Sequence, residues 1–383
     1  MAPMQTYEDT GIPVTASLMH HIGQLPHHAQ LTYLAEGGAN IVYRISIRAN
    51  AAPQTENEAT EITGASSVDA LNNPSMYAGK LLRLRKKIDS GMPYIETARK
   101  FDSEIRNMFR DDELVGQELV RLPKNFVAAC NVQLRTDEIN DLRPELRRGV
   151  YLSTKEPFGL LITDMTTAPG SSSTLWEFKP KWLLQSPSAP PDAKRCRTCA
   201  FRDMKNDDNE KAAAKAGTKS KRKKSFCPLD LVSDDFESVL RAVKLINNSP
   251  SARRVASLLH RNPTLLKLRD RQLKMNFVGL PGLRAQDRDK GLSMTLRDCT
   301  MYVKVPQDPT ESLEIRLGDL DLKTGGGGKL AYWKDTETRL IQEGWYSGTQ
   351  KSQEAKDCAL DPDRTKDGPS GMNGSSGSSH SHA

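Results

Sequence analysis

Residues Leu175 to Leu183 read LWEFKPKWL, with Glu177, Lys179 and Lys181 alternating with Trp176, Phe178, Pro180 and Trp182. In an extended chain a side-chain period of two puts the charges on one face and the apolar groups on the other. Pro180 favours that conformation, because the residue before a proline is pushed out of the helical region. Lys179 and Lys181 then project about 7 Å apart by strand rise. Two readings follow: a rigid clamp on something polyanionic, anchored by tryptophans, or an amphipathic surface strand.

The surroundings narrow the choice. Gln185 to Asp203 carries PPDAKRCRTCAFRD, and further on come CPLDLVS (Cys227 to Ser233), RDCTM (Arg297 to Met301) and GDLDLK (Gly318 to Lys323). Near the start stands EGGANIVYRI, Glu36 to Ile45. As an ordered set these elements resemble the inositol-pentakisphosphate 2-kinase family in its fungal form, from about residue 30 to Tyr346. The E-x-K-P-K and D-L-D-L-K elements carry most of that resemblance; each string alone is weak.

Length and composition set the frame. The 383 residues suffice for two domains or one large bilobal one. A hydrophobic content of 37% and a mean hydropathy of −0.59 are low for a fully compact chain. Residues 49–75, rich in Ala, Asn, Thr and Ser, are expected to be a disordered insertion, and residues 347–383, ending in GMNGSSGSSHSHA, a disordered tail. A net charge of +7 and a pI near 9.0 favour an acidic partner: nucleic acid, anionic lipid or a phosphorylated small molecule. There is no run of eighteen apolar residues and no signal-peptide core, so the expectation is an intracellular, nuclear or cytoplasmic monomer without a membrane segment.

Periodicity predicts strands at residues 31–36, 41–47 and 79–86, and a buried strand in FGLLITD, ending at Asp164. Helical spacing appears at residues 95–109, 234–246, 255–268 (interrupted by Pro263) and 332–344. Residues 292–305 and 313–323 read as a β-hairpin with a long loop, and the polar residues 203–224, with KSKRKK, as a basic loop. That run is either a localisation or polyanion-binding patch or a solvated insertion. The fold expected is α+β in two lobes: a β-rich N-lobe over residues 1–163 and a larger mixed α/β C-lobe over 164–346.

Phosphoryl transfer from ATP needs a backbone cradle for phosphates, cations on the moving charge, a metal-binding carboxylate and a base for the acceptor hydroxyl. Gly37, Gly38, Ala39 and Asn40, between two strands, form either such a cradle or a plain hairpin turn. The resemblance implies a nucleotide held between the lobes, with Arg83, Asp164 and Glu177 among its contacts. It also implies Asp298 as general base, Lys179 on the transferring phosphoryl group, and Lys181, Arg197 and Lys323 on acceptor phosphates. Asp319, with Asp321, would hold Mg²⁺, both read on one strand face with Lys323. Arg143, Arg147, Arg148, Lys194 and Arg195 are further cations for a pentakisphosphate. The activity implied is transfer of the ATP γ-phosphate to the 2-hydroxyl of inositol 1,3,4,5,6-pentakisphosphate, giving the hexakisphosphate. Walker A, G-x-G-x-x-G, H-R-D and D-F-G motifs are all absent.

Cys196, Cys199 and Cys227 supply part of a tetrahedral zinc site if Cys130, Cys299 or His260 completes it. Two other functions stay in view. One is a basic zinc-dependent nucleic-acid-binding protein; the other is an inactive kinase-like scaffold. Few aromatics interleave with the basic strands, which weakens the first. Retention of Lys179, Asp298 and Asp319 argues against the second.

Overall fold

The computed structural model describes residues 22–47, 74–88, 92–167, 170–279, 287–324, 328–350, 352–353 and 357–364. The expected insertion at 49–75 lies almost wholly outside the described residues, as do residues 365–383 of the expected tail. The fold is α+β, in two compact units, Met1–Thr166 and Thr167–Ala383.

The first unit is built on a five-stranded antiparallel sheet in the order β1-β2-β3-β5-β4. Its strands are β1 (Gln30–Glu36), β2 (Asn40–Ser46), β3 (Lys80–Arg85), β4 (Gln117–Arg121) and β5 (Phe158–Thr163). Tyr43, Leu82 and Leu161 are register partners, so they share a face, where they pack with Leu134 of helix α2 (Phe126–Ile139). Their neighbours Leu160 and Arg83 point the other way by the period of two. There Leu160 packs on Tyr94 of α1 (Tyr94–Lys100), and the Arg83 guanidinium lies 5.7 Å from the Tyr94 ring centroid. Gly159 fits closely in β5: a Cβ would come within 2.8 Å of the Leu82 side chain, which would have to shift.

The second unit carries a three-stranded antiparallel sheet, β6-β7-β8, made of Thr174–Phe178, Thr300–Val305 and Glu314–Gly318. Around it run α3 (Arg197–Lys215), α4 (Pro228–Leu231), α5 (Phe236–Ile246), α6 (Ala252–Leu259), α7 (Pro263–Lys274), α8 (Asp287–Leu296) and α9 (Lys329–Gln342). Asp235 caps α5, accepting from the backbone N–H of Glu237 and Ser238. Pro263 does not break a helix but begins one, α7, behind the Asn262 cap.

Three expectations need correction. Residues 203–215 belong to α3 and are no loop. Met204 and Asn206 bury its first turns, while the run NEKAAAK needs only propensity to continue them. Residues 292–299 are not strand: α8 runs to Leu296, and β7 begins at Thr300. The DLDLK segment also leaves the sheet, since β8 ends at Gly318 and Asp319 adopts a left-handed φ of 55°.

Candidate active site

The sheet order of the second unit creates the site. Antiparallel pairing sets Phe178 opposite Met301, and Thr300 opposite Gly318. The end of β6, the start of β7 and the end of β8 therefore meet at one edge. The residues just beyond them are Lys179, Asp298 and Asp319. Lys179 Nζ donates to Asp319 Oδ2 and to the Asp298 carbonyl, both at 2.6 Å, and stands 3.7 Å from Asp298 Oδ1. Lys181 Nζ donates to Asp298 Oδ1 at 2.7 Å, and Lys323 Nζ lies 3.0 Å from Asp298 Oδ2.

Three lysines thus converge on two carboxylates, leaving one net positive charge. All five side chains stay partly open to water, from 24% for Lys323 to 49% for Asp319, so a ligand can reach them. Burial pushes the Asp298 carboxyl up, but Lys181 and Lys323 outweigh it and hold it below the usual carboxylate range. Burial pulls the Lys179 ammonium down, and Asp319 with Asp298 more than restores it, to above its ordinary value.

Several buried residues that sequence reasoning missed hold this edge in shape. Lys181 sits at a left-handed φ of 63°, and the fully buried Gln272 amide fixes it from α7. Gln272 Nε2 donates to the carbonyls of Lys181 and Leu296, at 2.8 and 2.9 Å, while its Oε1 accepts from Leu183 N–H. The buried Thr295 hydroxyl accepts from Lys323 N–H at 2.9 Å. Gly291 on α8 allows that approach, since a Cβ there would lie 2.2 Å from the Lys323 carbonyl oxygen. The alternation of LWEFKPKWL survives past the strand: Trp176, Phe178, Pro180 and Trp182 are buried, and Lys179 and Lys181 half-buried.

Arg197 does not join the lysines. It lines a cavity of about 340 Å³ with Trp182, Lys290, Arg297, Lys334 and Glu337. Its guanidinium lies 4.4 Å from the Trp182 ring centroid and donates to Glu337 Oε2 at 2.8 Å. Arg297 lies over the same ring at 4.0 Å, and burial, then the Arg197 charge, pull its guanidinium below the ordinary value. A cavity walled by two crowded guanidiniums favours an anion. Asp321 is half-buried, its carbonyl facing the Thr295 hydroxyl; the common strand face expected for Asp319, Asp321 and Lys323 is not formed. Glu177 is exposed on β6.

In the first unit, Gly37 closes the β1–β2 turn by donating to the Asn40 carbonyl at 2.9 Å, and a Cβ at Gly37 or Gly38 would meet nothing. Beneath the turn is an ionic cluster that the sequence did not reveal. Glu36 accepts from Arg143 at 2.7 and 2.9 Å and pairs with Lys86, which also donates to the Gly37 carbonyl. Arg143 pairs as well with Glu138. Arg143 and Lys86 are each 1% exposed. Arg143 is therefore a structural residue and no acceptor contact, and Arg195, also 1% exposed and paired with Asp357 and Asp361, is corrected in the same way. Arg83, 8% exposed, is no surface arginine; it donates to Gln117 Oε1 at 3.4 Å. Asp164, just past β5, accepts from Thr166 N–H at 2.7 Å and from Arg44.

The family model described as Inositol-pentakisphosphate 2-kinase matches residues 33–277 and 253–339, which together span most of the chain. The chain belongs to the inositol-pentakisphosphate 2-kinase family. It is also 29% identical to a protein of Yarrowia lipolytica (strain CLIB 122 / E 150) described as inositol-pentakisphosphate 2-kinase, over 51% of this chain and 67% of that relative. The protein is thus a kinase, and the Lys179–Asp298–Asp319 edge lies within the matched residues. No helix among the described residues is long and apolar enough to cross a membrane.

Proposed function

We propose that the protein transfers the γ-phosphate of ATP to the 2-hydroxyl of inositol 1,3,4,5,6-pentakisphosphate, giving inositol hexakisphosphate. The observation that carries this reading is the Asp298 carboxylate, gripped by Lys181 and Lys323 while Lys179 bridges it to Asp319. Asp298 is ionised at neutral pH and accepts the proton of the attacking hydroxyl. Its low basicity suits a loose transition state, in which the proton leaves late. Lys179 faces the phosphoryl group in transit, where electrostatic stabilisation is usually the largest catalytic contribution. Lys181 and Lys323 bind acceptor phosphates that are present throughout, and Arg197 with Arg297 takes another in the adjoining cavity.

Asp319 fits Mg²⁺: its oxygens are hard donors and half of the side chain is open, which leaves room for water and phosphate ligands. Asp321 is the second candidate. When bound, the ion neutralises charge on the phosphates of the nucleotide. The nucleotide contacts proposed for the first unit are Gly37, Gly38, Ala39, Asn40, Arg83 and Asp164. The deciding experiment incubates the protein with ATP, Mg²⁺ and inositol pentakisphosphate and resolves the products by ion exchange. An ATP-dependent hexakisphosphate peak is expected. Its absence beside a working control enzyme would refute the reading.

A further inference from the structure

Glu337, on α9, is the one acidic side chain among the described residues that line the Arg197 cavity, and it is buried, at 6% exposure. A carboxylate in the wall of an anion site repels the anion, so its presence there needs another cause. Its hydrogen bonds supply one. Oε2 accepts from Arg197 Nε at 2.8 Å, while Oε1 accepts from Ser186 Oγ at 2.5 Å and from the Tyr346 hydroxyl at 2.6 Å. Burial, and then the Glu337 charge, push the Tyr346 phenol up, so it keeps its proton and stays a donor. With Oε1 held by two hydroxyls, the carboxylate does not take the guanidinium as a fork; it meets Nε alone. Arg197 Nη1 and Nη2 have no acceptor among the described residues, and neither is sealed from solvent.

The Trp182 ring, 4.4 Å from the guanidinium carbon to its centroid, fixes the plane of the Arg197 head group. Stacking alone lets the group slide and turn within that plane, and the bond at Nε removes that freedom. The backbone is tied as well. Gln185 Oε1 accepts from the N–H of Ser186 at 2.9 Å and from that of Arg197 at 3.0 Å, so the arginine and the serine that steadies its carboxylate share one anchor.

We propose that Glu337 is a positioning residue for the acceptor, turning the Nη1–Nη2 edge of Arg197 towards the phosphate that enters the cavity. This role rests on the reading of the cavity as an acceptor-phosphate site. Glu337 acts through Arg197 and touches no substrate. The edge it leaves open carries two parallel N–H donors, which match two oxygens of one phosphate. Arg297 has no such edge to offer: its Nη1 donates to Ser293 Oγ and its Nη2 to Asn276 Oδ1 at 3.3 Å. Arg197 therefore orients the phosphate, and Arg297 adds charge behind it.

The sign of one effect separates this role from plain electrostatics. As a bare negative charge, Glu337 weakens anion binding, and its removal lowers the acceptor KM; as the positioner of Arg197, its removal raises that KM. The test is steady-state kinetics of the full chain with inositol pentakisphosphate and ATP, on Glu337→Ala, Arg197→Ala and the double variant, with folding checked by thermal denaturation. Glu337→Ala should raise the acceptor KM about ten- to a hundredfold, the range of a charged hydrogen bond, with kcat and the KM for ATP unchanged. In the Arg197→Ala background it should add nothing. Where Glu337→Ala does not fold, Tyr346→Phe decides in its place. It alters no charge, lies outside the cavity wall and loosens Oε1, so the acceptor KM should rise about three- to tenfold. An acceptor KM that falls or stays put in the deciding variant, while Arg197→Ala raises it, would overturn the role of Glu337 and leave the cavity reading standing. So would effects that add in the double variant. An acceptor KM indifferent to Arg197→Ala would overturn the cavity reading, and the role of Glu337 with it.

Discussion

Each unit of this protein contains a knot of charge, and the two are built in opposite ways. In the first unit Glu36 and Glu138 balance Lys86 and Arg143, and the central guanidinium is sealed from water. In the second, three lysines face two carboxylates, all half in solvent. A buried, neutral knot locks a shape, because removing one member strands the others without water. A half-open knot with a surplus cation contributes little to folding and is ready for an anion. Charge number alone does not separate a structural cluster from a working one; burial and balance do.

The largest effect should come from Asp298→Asn, which removes the base and keeps the shape. We expect kcat to fall about 10²–10⁴-fold, with thermal stability nearly unchanged. A variant retaining more than about a third of wild-type kcat would take Asp298 out of the role of base. Arg143→Met should show the reverse pattern, losing about 3–5 kcal/mol of stability in denaturant titrations and keeping its kcat per folded molecule. Loss of turnover in a fully folded Arg143→Met protein would mean that this knot also works on substrate.

Next in size is the contrast between neighbours. Lys179→Ala should lower kcat and Lys181→Ala should raise KM, each by about ten- to a hundredfold, as charged hydrogen bonds contribute about 1.5–3 kcal/mol. Swapped outcomes in steady-state kinetics would move the acceptor to the other lysine. KM for the acceptor should also climb with salt, since screening sets in over about 10 Å at 0.1 M. An acceptor KM indifferent to ionic strength would speak against a polyanion at the open knot.

The smallest effect concerns pH. Lys181 and Lys323 hold Asp298 below its ordinary value, so its protonation, and with it the loss of activity, begins only below the ordinary carboxylate range. Asp319 and Asp298 hold Lys179 above its ordinary value, so its charge is lost only beyond the ordinary ammonium range. Between those limits kcat/KM should be flat with respect to both groups. An acid limb near pH 6 would point to another titrating residue. For stability the sign is the same at Glu36, where burial is outweighed by Arg143 and Lys86 and the carboxyl is held low. The contribution of that knot is present above the unfolded carboxylate range and fades as pH falls through the folded value.

How much of this was readable from residues alone follows a physical pattern. The strands of the first unit carry strong alternation, and Lys179, Lys181, Asp298, Asp319 and Lys323, singled out by resemblance, do come together. The backbone at DLDLK was misread because alternation says nothing about a φ that turns positive after Gly318. Glu36 and Arg143, 107 positions apart, are joined only by the fold. Cys358, whose sulfur lies within 4.8 Å of those of Cys196, Cys199 and Cys227, is hidden for a similar reason: it stands 131 positions beyond Cys227, next to a stretch with the composition of a tail. Gln272 offered no signal at all, since an amide on a basic helix reads as surface.

The left-handed backbone at Asp319 and Lys181 limits which amino acids can ever replace them. Aspartate and asparagine tolerate that conformation, so at Asp319 the charge can be changed to an amide without disturbing the chain. Lysine carries a Cβ penalty of about 1–2 kcal/mol there, and so does the alanine used to truncate it. Lys181→Gly should therefore be the more stable truncation, and the gap between the glycine and alanine variants measures what the backbone asks for, separately from what the ammonium does. A lineage drifting away from lysine at position 181 has asparagine and glycine as its unstrained exits, and both surrender the charge.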